Sequence, residues 1–440
     1  MAPGLTLGLE ALVFRLWLIP IGAALLAQEQ IDPTERLARA RDKLVERAKR
    51  LPDYTCVQTV ERARFRRVRS DIPFPPCERV RALGTEGLMP EATDRLRLDI
   101  KASRGSEIGS WPGSRFSERS IFELVGAGSY QTGMLGALIS DVFVNEGAAY
   151  QFVGEESPAG GSLSSYSYQV PVDSSHYQVK SGSSWVPVAF SGTFWLDTNT
   201  QELKRISEEA HDLPADTLVC SAATTVDYQQ VRVAGGEFLL PRQAAMRLVM
   251  QDESETRITA TYSGCREYRA ESTIRFDDAP GGGAANPDEA LASPVPAGLR
   301  FSLALTTPID TDTGAAGDIV KATLRDALRD PKSKAVLAPA GATVQGRVVQ
   351  MQHWLNRPRH FTIAIVLEKL EADGVSRPLH AKVVPEASST HGPFTVVLRP
   401  QGQSSLAATF RFETEKSRVT MRAGFRTKWA TVEPPAVEVR

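Results

Sequence analysis

The sequence predicts a mainly β protein of the α+β class. We expect a curved antiparallel half-barrel sheet packed on an N-terminal helix, followed by a second, small β-barrel domain. Two observations support this prediction. Segments of alternating apolar and polar residues, separated by turn residues roughly every ten positions, fill most of the chain. A stretch rich in Gly, Pro and Ala, 277–295, interrupts them and is typical of a linker.

The first segment, 1–27, has the pattern of a signal peptide. Leu16–Ala27 is a largely apolar run that ends in small residues, and it is much shorter than the roughly 20 residues that span a bilayer. We expect cleavage after Ala24 or Ala27. The sequence therefore predicts a periplasmic or secreted protein with no membrane span after the signal is removed.

The overall composition is that of a globular protein with a near balance of charge. Apolar residues make up 42% of the chain and the formal net charge is −1. A balanced charge gives no reason to expect nucleic acid as a partner. The basic run Glu61–Arg69 is interpreted as a solvated strand face.

A helix is predicted to open the first domain, 28–276. Asp32 can cap it, and Pro33 suits its first position. Apolar residues then recur at spacings of three and four, which makes one stripe that should lie on a sheet. The stripe consists of Leu37, Ala40, Leu44, Ala48 and Leu51.

The pattern then changes to strands, with short helices predicted at Ser117–Val125 and Thr132–Val144. The predicted strands are Thr55–Phe65, Asp94–Ala102, Ala149–Glu155, Leu163–Val172, His176–Lys180, Val186–Leu196 and Gln201–Ala210. Three further strands close the domain as a meander, and the turns "AGG" and "QDES" join them.

The four cysteines are predicted to form two disulfides, because an exported chain meets an oxidising compartment. In a simple meander Cys220 and Cys265 lie on strands separated by a middle strand, about 10 Å apart. A disulfide needs Cα atoms within about 7 Å. By elimination Cys56 and Cys77 should each bond to a cysteine of the meander, and of the two possible pairings we prefer Cys56–Cys265 with Cys77–Cys220.

The second domain, 296–440 with a core at 296–385, again alternates as strands do. Pro-Ala-Gly occurs at Pro296–Gly298 and at Pro339–Gly341, each time just before a predicted strand. The length and turn spacing predict a small all-β barrel with additional C-terminal strands.

The stretch "PIDTDTGAAGD" (Pro308–Asp318) raises two chemical hypotheses. An aspartic protease needs two carboxylates that share a proton, but this chain has a single Asp-Thr-Gly. A calcium loop needs an acidic residue at its twelfth position, where Lys321 stands. We therefore interpret the stretch as a hairpin loop whose aspartates shape a turn.

Other motifs give no catalytic, cofactor or metal site. "GAGSYQTG" (Gly126–Gly133) has glycines but neither phosphate-binding pattern. The six histidines have no metal-ligand spacing, and His353 and His360 are interpreted as surface residues of a basic loop. We predict a protein that is not an enzyme, with a hydrolase as a distant alternative.

Aromatic residues cluster on the predicted strands of the first domain. They are most simply explained as core, since aromatics are favoured in strands. The alternative is that several line an apolar groove for an acyl chain or an apolar peptide. The groove candidates are Tyr166, Tyr168, Phe190, Phe194 and Trp195.

Two resemblances follow from these residues. The first domain, with "LPDYTCVQTVER", "FLLPRQ" and "SGCREYRAEST", resembles a family of uncharacterised exported bacterial proteins. Its element order and "FWLDTNTQELKRI" are similar to the LolA-like periplasmic lipoprotein carriers. The second domain, with "VPAGLRFSLALTTPID", "GDIVKATL" and "VLAPAGATVQGRV", resembles the TrbI-like β-barrel of type IV secretion scaffolds.

The resemblances imply a non-enzymatic envelope protein. In the first interpretation the first domain binds a lipid, a lipoprotein or another apolar ligand, and the second domain contacts another envelope protein. In the alternative the protein is an envelope or secretion-associated scaffold with no small ligand.

Overall fold

The computed structural model describes residues 32–67, 72–103, 106–116, 137–158, 161–268, 294–384, 395–397 and 406–434. Within these ranges the chain is mostly antiparallel β-sheet with an N-terminal helix, which confirms the predicted fold class. The predicted signal peptide and the helix predicted at Ser117–Val125 lie outside the described residues, as does nearly all of the linker.

The first helix, α1 (Pro33–Arg50), begins where the sequence predicts. The Asp32 carboxylate accepts a hydrogen bond from the backbone N–H of Thr34 at 2.8 Å, which satisfies a free donor of the first turn. Ala40 and Leu44 are buried against the inward side chains of the first sheet. Ala40 and Leu44 of the predicted stripe therefore lie on the sheet with Leu37 beside them, whereas Ala48 is exposed and Leu51 follows the helix.

Twelve strands belong to the N-terminal part, which we define as the described residues up to 268. Their bounds are β1 (Tyr54–Arg67), β2 (Leu88–Ser103), β3 (Ser106–Ser110), β4 (Ala149–Glu156), β5 (Leu163–Val170), β6 (Gln178–Ser181), β7 (Ser184–Pro187), β8 (Phe190–Asp197), β9 (Leu203–Ala210), β10 (Val219–Val233), β11 (Gly236–Met250) and β12 (Glu255–Glu267).

These strands form one antiparallel sheet in the order β4–β5–β8–β9–β10–β11–β12–β1–β2, with β3 on the outer edge of β2. Strands β6 and β7 form a separate hairpin. The predicted strand Val186–Leu196 is thus divided between β7 and β8, because β7 pairs away from the main sheet. The closing meander has the predicted order and turns.

Two short helices contact this sheet. Helix α2 (Cys77–Leu83) was not predicted from the sequence, and its Val80 is buried against Cys220 and Val249. Helix α3 (Ala137–Ile139) continues as a π-helical turn, Ser140–Val144, and it occupies the described end of the helix predicted at Thr132–Val144.

The remaining strands belong to the C-terminal part, which we define as the described residues from 294 onward. Their bounds are β13 (Arg300–Leu305), β14 (Ile309–Asp310), β15 (Ile319–Leu324), β16 (Leu328–Arg329), β17 (Val336–Ala338), β18 (Thr343–Trp354), β19 (His360–Ala372), β20 (Val375–Pro378), β21 (Ala381–Val383), β22 (Thr395–Val397), β23 (Ala408–Glu413), β24 (Thr420–Met421) and β25 (Arg426–Thr431).

The C-terminal strands enclose a second apolar core. Strand β25 pairs with β13, β13 with β15, β15 with β18, and β18 with β19. Strand β19 pairs with β20 and β23, and β21 pairs back to β25. Inward residues of these strands, among them Phe301, Ile363, Phe410 and Trp429, pack together and are separate from the core beneath α1.

The two parts share hydrogen bonds along one edge. Strand β18 extends the N-terminal sheet by pairing with β2 at Ala92, Thr93 and Asp94. The backbone N–H of Leu355 then donates to the carbonyl of Glu91 at 2.8 Å.

Among the described helices, none combines the length and the apolar character that crossing a bilayer requires.

Candidate functional site

Four of the five groove candidates lie together in the interior of the N-terminal part. Tyr166, Tyr168, Phe190 and Phe194 are at most 2% exposed, and they pack with residues of α1 and of the turn after α3. The Tyr166 and Phe194 rings stack with centroids 5.2 Å apart. Trp195 lies on the opposite face of β8, where its Nε1 donates to Glu156.

The polar ends of the two buried tyrosines are bound to backbone. Tyr166 donates to the carbonyl of Pro33 at 2.8 Å, and Tyr168 donates to the carbonyl of Ser207 at 2.9 Å. Burial raises the pKa of both phenols above the ordinary value. The two side chains therefore hold α1 and β9 against β5. This is the structural role expected of core residues.

A buried acid lies beside these aromatics. Glu208 on β9 is opposite Gly192 of β8 and Thr224 of β10, so it faces the interior between them. It is 4% exposed, and its Oε1 has no hydrogen-bond partner among the described residues. Burial raises the pKa of this carboxyl to about 8, and the nearby Asp141 adds to the shift. Glu208 is therefore mostly protonated at neutral pH.

Gly192 makes room for this arrangement. A Cβ at this position would lie 1.8 Å from the carbonyl oxygen of Ser207 and 2.9 Å from the hydroxyl of Tyr168. Only glycine allows β8 and β9 to approach closely here while Tyr168 crosses between them. A second buried phenol on the same face, Tyr228, is 6% exposed, and its hydroxyl has no hydrogen-bond partner among the described residues.

Two disulfides close the N-terminal part. Cys56 of β1 is bonded to Cys265 of β12, with Cα atoms 4.1 Å apart. Cys77 of α2 is bonded to Cys220 of β10, with Cα atoms 5.0 Å apart. These are the two pairs preferred from the sequence, where the strand register had excluded only Cys220–Cys265. The second bond fastens α2 to the sheet.

The stretch Pro308–Asp318 forms the joint between the two parts. Ala316 lies beside Leu96 of β2 in a parallel bridge: Arg97 N–H donates to the Ala316 carbonyl at 2.7 Å, and Ala316 N–H donates to the Arg95 carbonyl at 2.9 Å. Ala316 is fully buried and belongs to the core of the N-terminal part. The interpretation of this stretch as a turn was therefore incomplete.

Gly317 and Asp318 complete the joint. Gly317 has φ of +108°, and a Cβ there would lie 2.2 Å from the Arg97 carbonyl oxygen. Glycine is required for both reasons. The Asp318 carboxylate accepts from the N–H of Ala315 at 2.9 Å and forms an ion pair with the Arg97 guanidinium.

A buried arginine connects both parts at the same place. The side chain of Arg347 on β18 is 4% exposed and forms an ion pair with Glu368 of β19 at 2.7 Å. It also donates to the carbonyl oxygens of Gly317 at 2.8 Å and of Pro112 at 2.9 Å. Pro112 belongs to the N-terminal part, so one guanidinium binds three segments of the fold.

A cleft lies next to the joint and encloses about 380 Å³. Its N-terminal wall is formed by β1, β2 and β12, and its C-terminal wall by β18, β19 and two loops. The lining residues are Glu61, Arg62, Ala63, Thr93, Asp94, Arg95, Arg257, Thr259, Thr311, Asp312, Met351, Gln352, His353, Phe361 and Ser417.

The charges on the N-terminal wall of the cleft are paired. Arg62 forms two hydrogen bonds of 2.7 Å with Asp94. Arg95 forms an ion pair with Glu61 at 2.7 Å and donates to the backbone carbonyl of Asp312 at 2.5 Å. These charges are paired, so the wall presents a mixed polar surface.

The C-terminal wall is more apolar. Met351 and Phe361 are at most 5% exposed. The His353 ring stacks on Phe361 with centroids 4.0 Å apart, and partial burial lowers the pKa of this histidine. The prediction that His353 and His360 lie in a loop is wrong, because β18 continues through His353 to Trp354 and β19 begins at His360.

The single Asp-Thr-Gly, Asp312–Gly314, lies in the loop that follows β14, and Asp310 at the end of β14 shapes this loop. Asp310 accepts from the N–H of Asp312 at 2.9 Å, and its other carboxylate oxygen binds Arg418 and Thr420. These contacts hold the pKa of the Asp310 carboxyl below its usual value. Among the described residues, no group of three or more His, Cys, Asp or Glu side chains is arranged to hold a metal ion.

Comparison with known proteins gives matches at the level of structure. No family model and no curated protein matches the sequence. A LolA superfamily protein from Nitrosomonas europaea is similar to 52% of this chain over 94% of its own length, with 12% identity and a TM-score of 0.25. A putative outer membrane lipoprotein-sorting protein domain from Vibrio parahaemolyticus covers 55% of this chain and 94% of its own, with 12% identity and a TM-score of 0.24.

The third similar structure is ComB10 of the Com type IV secretion system of Helicobacter pylori. It covers 31% of this chain and 86% of its own length, with 14% identity and a TM-score of 0.20. The matches include the two kinds of protein that the sequence was expected to resemble.

Proposed function

We propose that this chain is an exported, non-enzymatic scaffold of the bacterial envelope that binds a partner protein in the cleft between its two parts. The observation that carries the proposal is the joint. A shared sheet edge, the buried bridge at Ala316 and the guanidinium of Arg347 hold the two walls of the cleft in one orientation. A fixed arrangement of this kind reduces the entropy lost when a partner binds.

The packing of the first core favours a scaffold over a lipid carrier. Pockets for apolar ligands commonly enclose about 300–1,000 Å³ and are mostly apolar. Tyr166, Tyr168, Phe190 and Phe194 fill the interior on which such a groove would depend. The open volume of about 380 Å³ lies at the cleft, where charged side chains predominate on one wall.

The cleft has the surface of a protein-binding site. Met351 and Phe361 form an apolar floor, and the satisfied ion pairs of Arg62 and Arg95 form a polar rim. Interfaces between proteins combine an apolar centre with a polar rim in the same way.

Two features support a location outside the cytoplasm. The segment 1–27 has the pattern of a signal peptide. Two disulfides join distant parts of the fold, and such bonds persist in oxidising compartments. Both features support a mature protein in the periplasm or the extracellular medium.

Site-specific photocrosslinking in cells tests the partner site. A photoreactive residue at Ser417, on the rim of the cleft, should give a covalent adduct with one defined envelope protein. As the control, the photoreactive residue replaces Lys180 on the β6–β7 hairpin, and this variant should give no adduct. Asp312→Arg, which fills the cleft with a longer cation, should abolish the Ser417 adduct. Equal adducts from both positions would overturn the proposal.

Native mass spectrometry with organic extraction separates the scaffold from the carrier. We expect the mass of the mature chain alone and no extracted acyl chain. A stoichiometric lipid that copurifies would instead support the alternative, in which the N-terminal part carries a lipid or lipoprotein.

A further inference from the structure

One face of the C-terminal part carries only positive charge. Strands β15, β13, β25 and β21 are neighbours in that order. Their sequences, "IVKATL", "RFSLAL", "RTKWAT" and "AKV", contain no acidic residue. The cations on these strands are Arg300, Lys321, Lys382, Arg426 and Lys428, which we call the basic face.

All five cations point away from the core. The alternate residues of the same strands, such as Phe301, Leu303 and Trp429, are buried in the second apolar core. Because successive side chains of a strand point to opposite faces, Arg300, Arg426 and the other basic residues must face outward. Each of the five is exposed.

The strand register brings the cations close together. Arg300 and Lys382 are both opposite Ala430, on its two sides, so their Cα atoms are about 10 Å apart. Arg426 and Lys428 are two residues apart on β25, or about 7 Å. The outward residues between the cations are small, for example Ser302 and Ala304, so the surface is flat.

Four of these cations have no anionic partner in the described part of the chain. No carboxylate of the described residues is within ion-pair distance of Arg300, Lys321, Lys382 or Arg426. This contrasts with the basic run of β1, where Arg62, Arg64 and Arg67 pair with acids. Uncompensated like charges on one sheet face repel each other, which an anionic surface would offset.

We propose that the basic face lies against a lipid surface that carries anionic phosphate headgroups. A protein partner would be held by aromatic or aliphatic anchors in pockets. The outward side chains of the four strands include no aromatic residue, and Ile319 of β15 is the one large apolar side chain exposed among them. A flat array of cations is suited to a headgroup layer, where attraction is long-range and does not require interlocking shapes. This inference does not depend on the cleft.

Vesicle cosedimentation tests the inference with the intact, disulfide-bonded chain. Vesicles of phosphatidylglycerol and phosphatidylcholine should bind the protein at low salt, and vesicles of phosphatidylcholine alone should not. Each cation near such a surface contributes about a fivefold factor in partitioning. The triple variant Arg300→Gln, Lys382→Gln, Arg426→Gln should therefore bind roughly a hundredfold more weakly.

A matched variant controls for the change in net charge. Arg50→Gln, Lys180→Gln, Arg232→Gln removes the same charge from exposed positions of the N-terminal part, and it should bind like the wild type. Circular dichroism should show that both variants are folded. Raising the salt to about 0.5 M should release the wild type, because it shortens the screening length to a few ångströms.

Three outcomes would overturn the inference. They are equal binding of the wild type to both kinds of vesicle, equal loss in the two triple variants, and binding that salt does not weaken. If the wild type does not bind anionic vesicles, the lipid partner is rejected, and an acidic protein becomes the better candidate for the basic face. Photocrosslinking from Ser417 would be unaffected, so the two proposals fail separately.

Discussion

Replacing Glu208 by Gln tests whether a protonated acid is part of the first core. The change keeps the size of the side chain and removes its titration. Glu208 lies between Gly192 and Thr224 on the inner face of the sheet and is 4% exposed. Burial raises its pKa from 4.5 to about 8. The folded state therefore holds a proton that the unfolded chain releases above pH 4.5.

The sign and size of the effect follow from this shift. Between pH 4.5 and 8 the folded state binds more protons than the unfolded state, so the free energy of unfolding decreases as the pH rises. Each pKa unit corresponds to 1.36 kcal/mol, so a shift of about 3.5 units costs the wild type about 5 kcal/mol by pH 8. Below pH 4.5 the carboxyl is protonated in both states, so its titration no longer changes the free energy of unfolding.

Urea denaturation at pH 5, 7 and 9, with the disulfides intact, measures the difference. Glu208→Gln should be close to the wild type at pH 5 and more stable by about 5 kcal/mol at pH 9, because the amide never ionises. Glu209→Gln is the control. Its side chain faces solvent, and it should change stability by less than about 0.5 kcal/mol at each pH.

A difference between Glu208→Gln and the wild type that is the same at pH 5 and pH 9 would refute this reasoning. It would mean that Glu208 has the same proton affinity in the folded and unfolded states, and so is not held in a dry interior.

Three further predictions concern the joint and the covalent framework. Arg347→Met should lower the free energy of unfolding by about 2–4 kcal/mol, measured by urea denaturation, because Glu368 and two carbonyl oxygens lose their donor. Gly317→Ala should lower the thermal midpoint far more than Gly341→Ala, since both have positive φ but only Gly317 lies against backbone. Replacing Cys56 and Cys265 by Ala should destabilise by about 4 kcal/mol in a thermal melt, because the bond closes a loop that the intact Cys77–Cys220 disulfide shortens to roughly 70 residues. Unchanged stability in any of these variants would contradict the stabilising role given to the corresponding contact.

The fold was largely predictable from local patterns. Helix α1 follows from its cap at Asp32 and its apolar stripe, and the closing meander follows from alternation and two turns. The same register excluded a bond between Cys220 and Cys265. Short elements such as α2 and β3 were missed, because seven or five residues are too few to show a period.

The site was less predictable. Glu208 left a local signal, since an acid occupies an inward position of a strand between Ile206 and Ala210. Arg347 and Gly317 left none, because their partners are distant in sequence. Pro112 is 235 positions from Arg347, and Arg97 is more than 200 from Gly317. Contacts of this kind depend on how two separately patterned regions dock.

The sequence by itself therefore determined that this chain is mostly antiparallel β with a capped N-terminal helix, and that its cysteines pair across the sheet. Periodicity and strand spacing are sufficient for those conclusions. Only the tertiary structure decided the role of "PIDTDTGAAGD". Its aspartates do shape a loop, but Ala316 and Gly317 bind the edge of β2 and join the two parts. The free edge of β2 and the loop that covers it are far apart in the chain, and the pattern of neither one specifies the other.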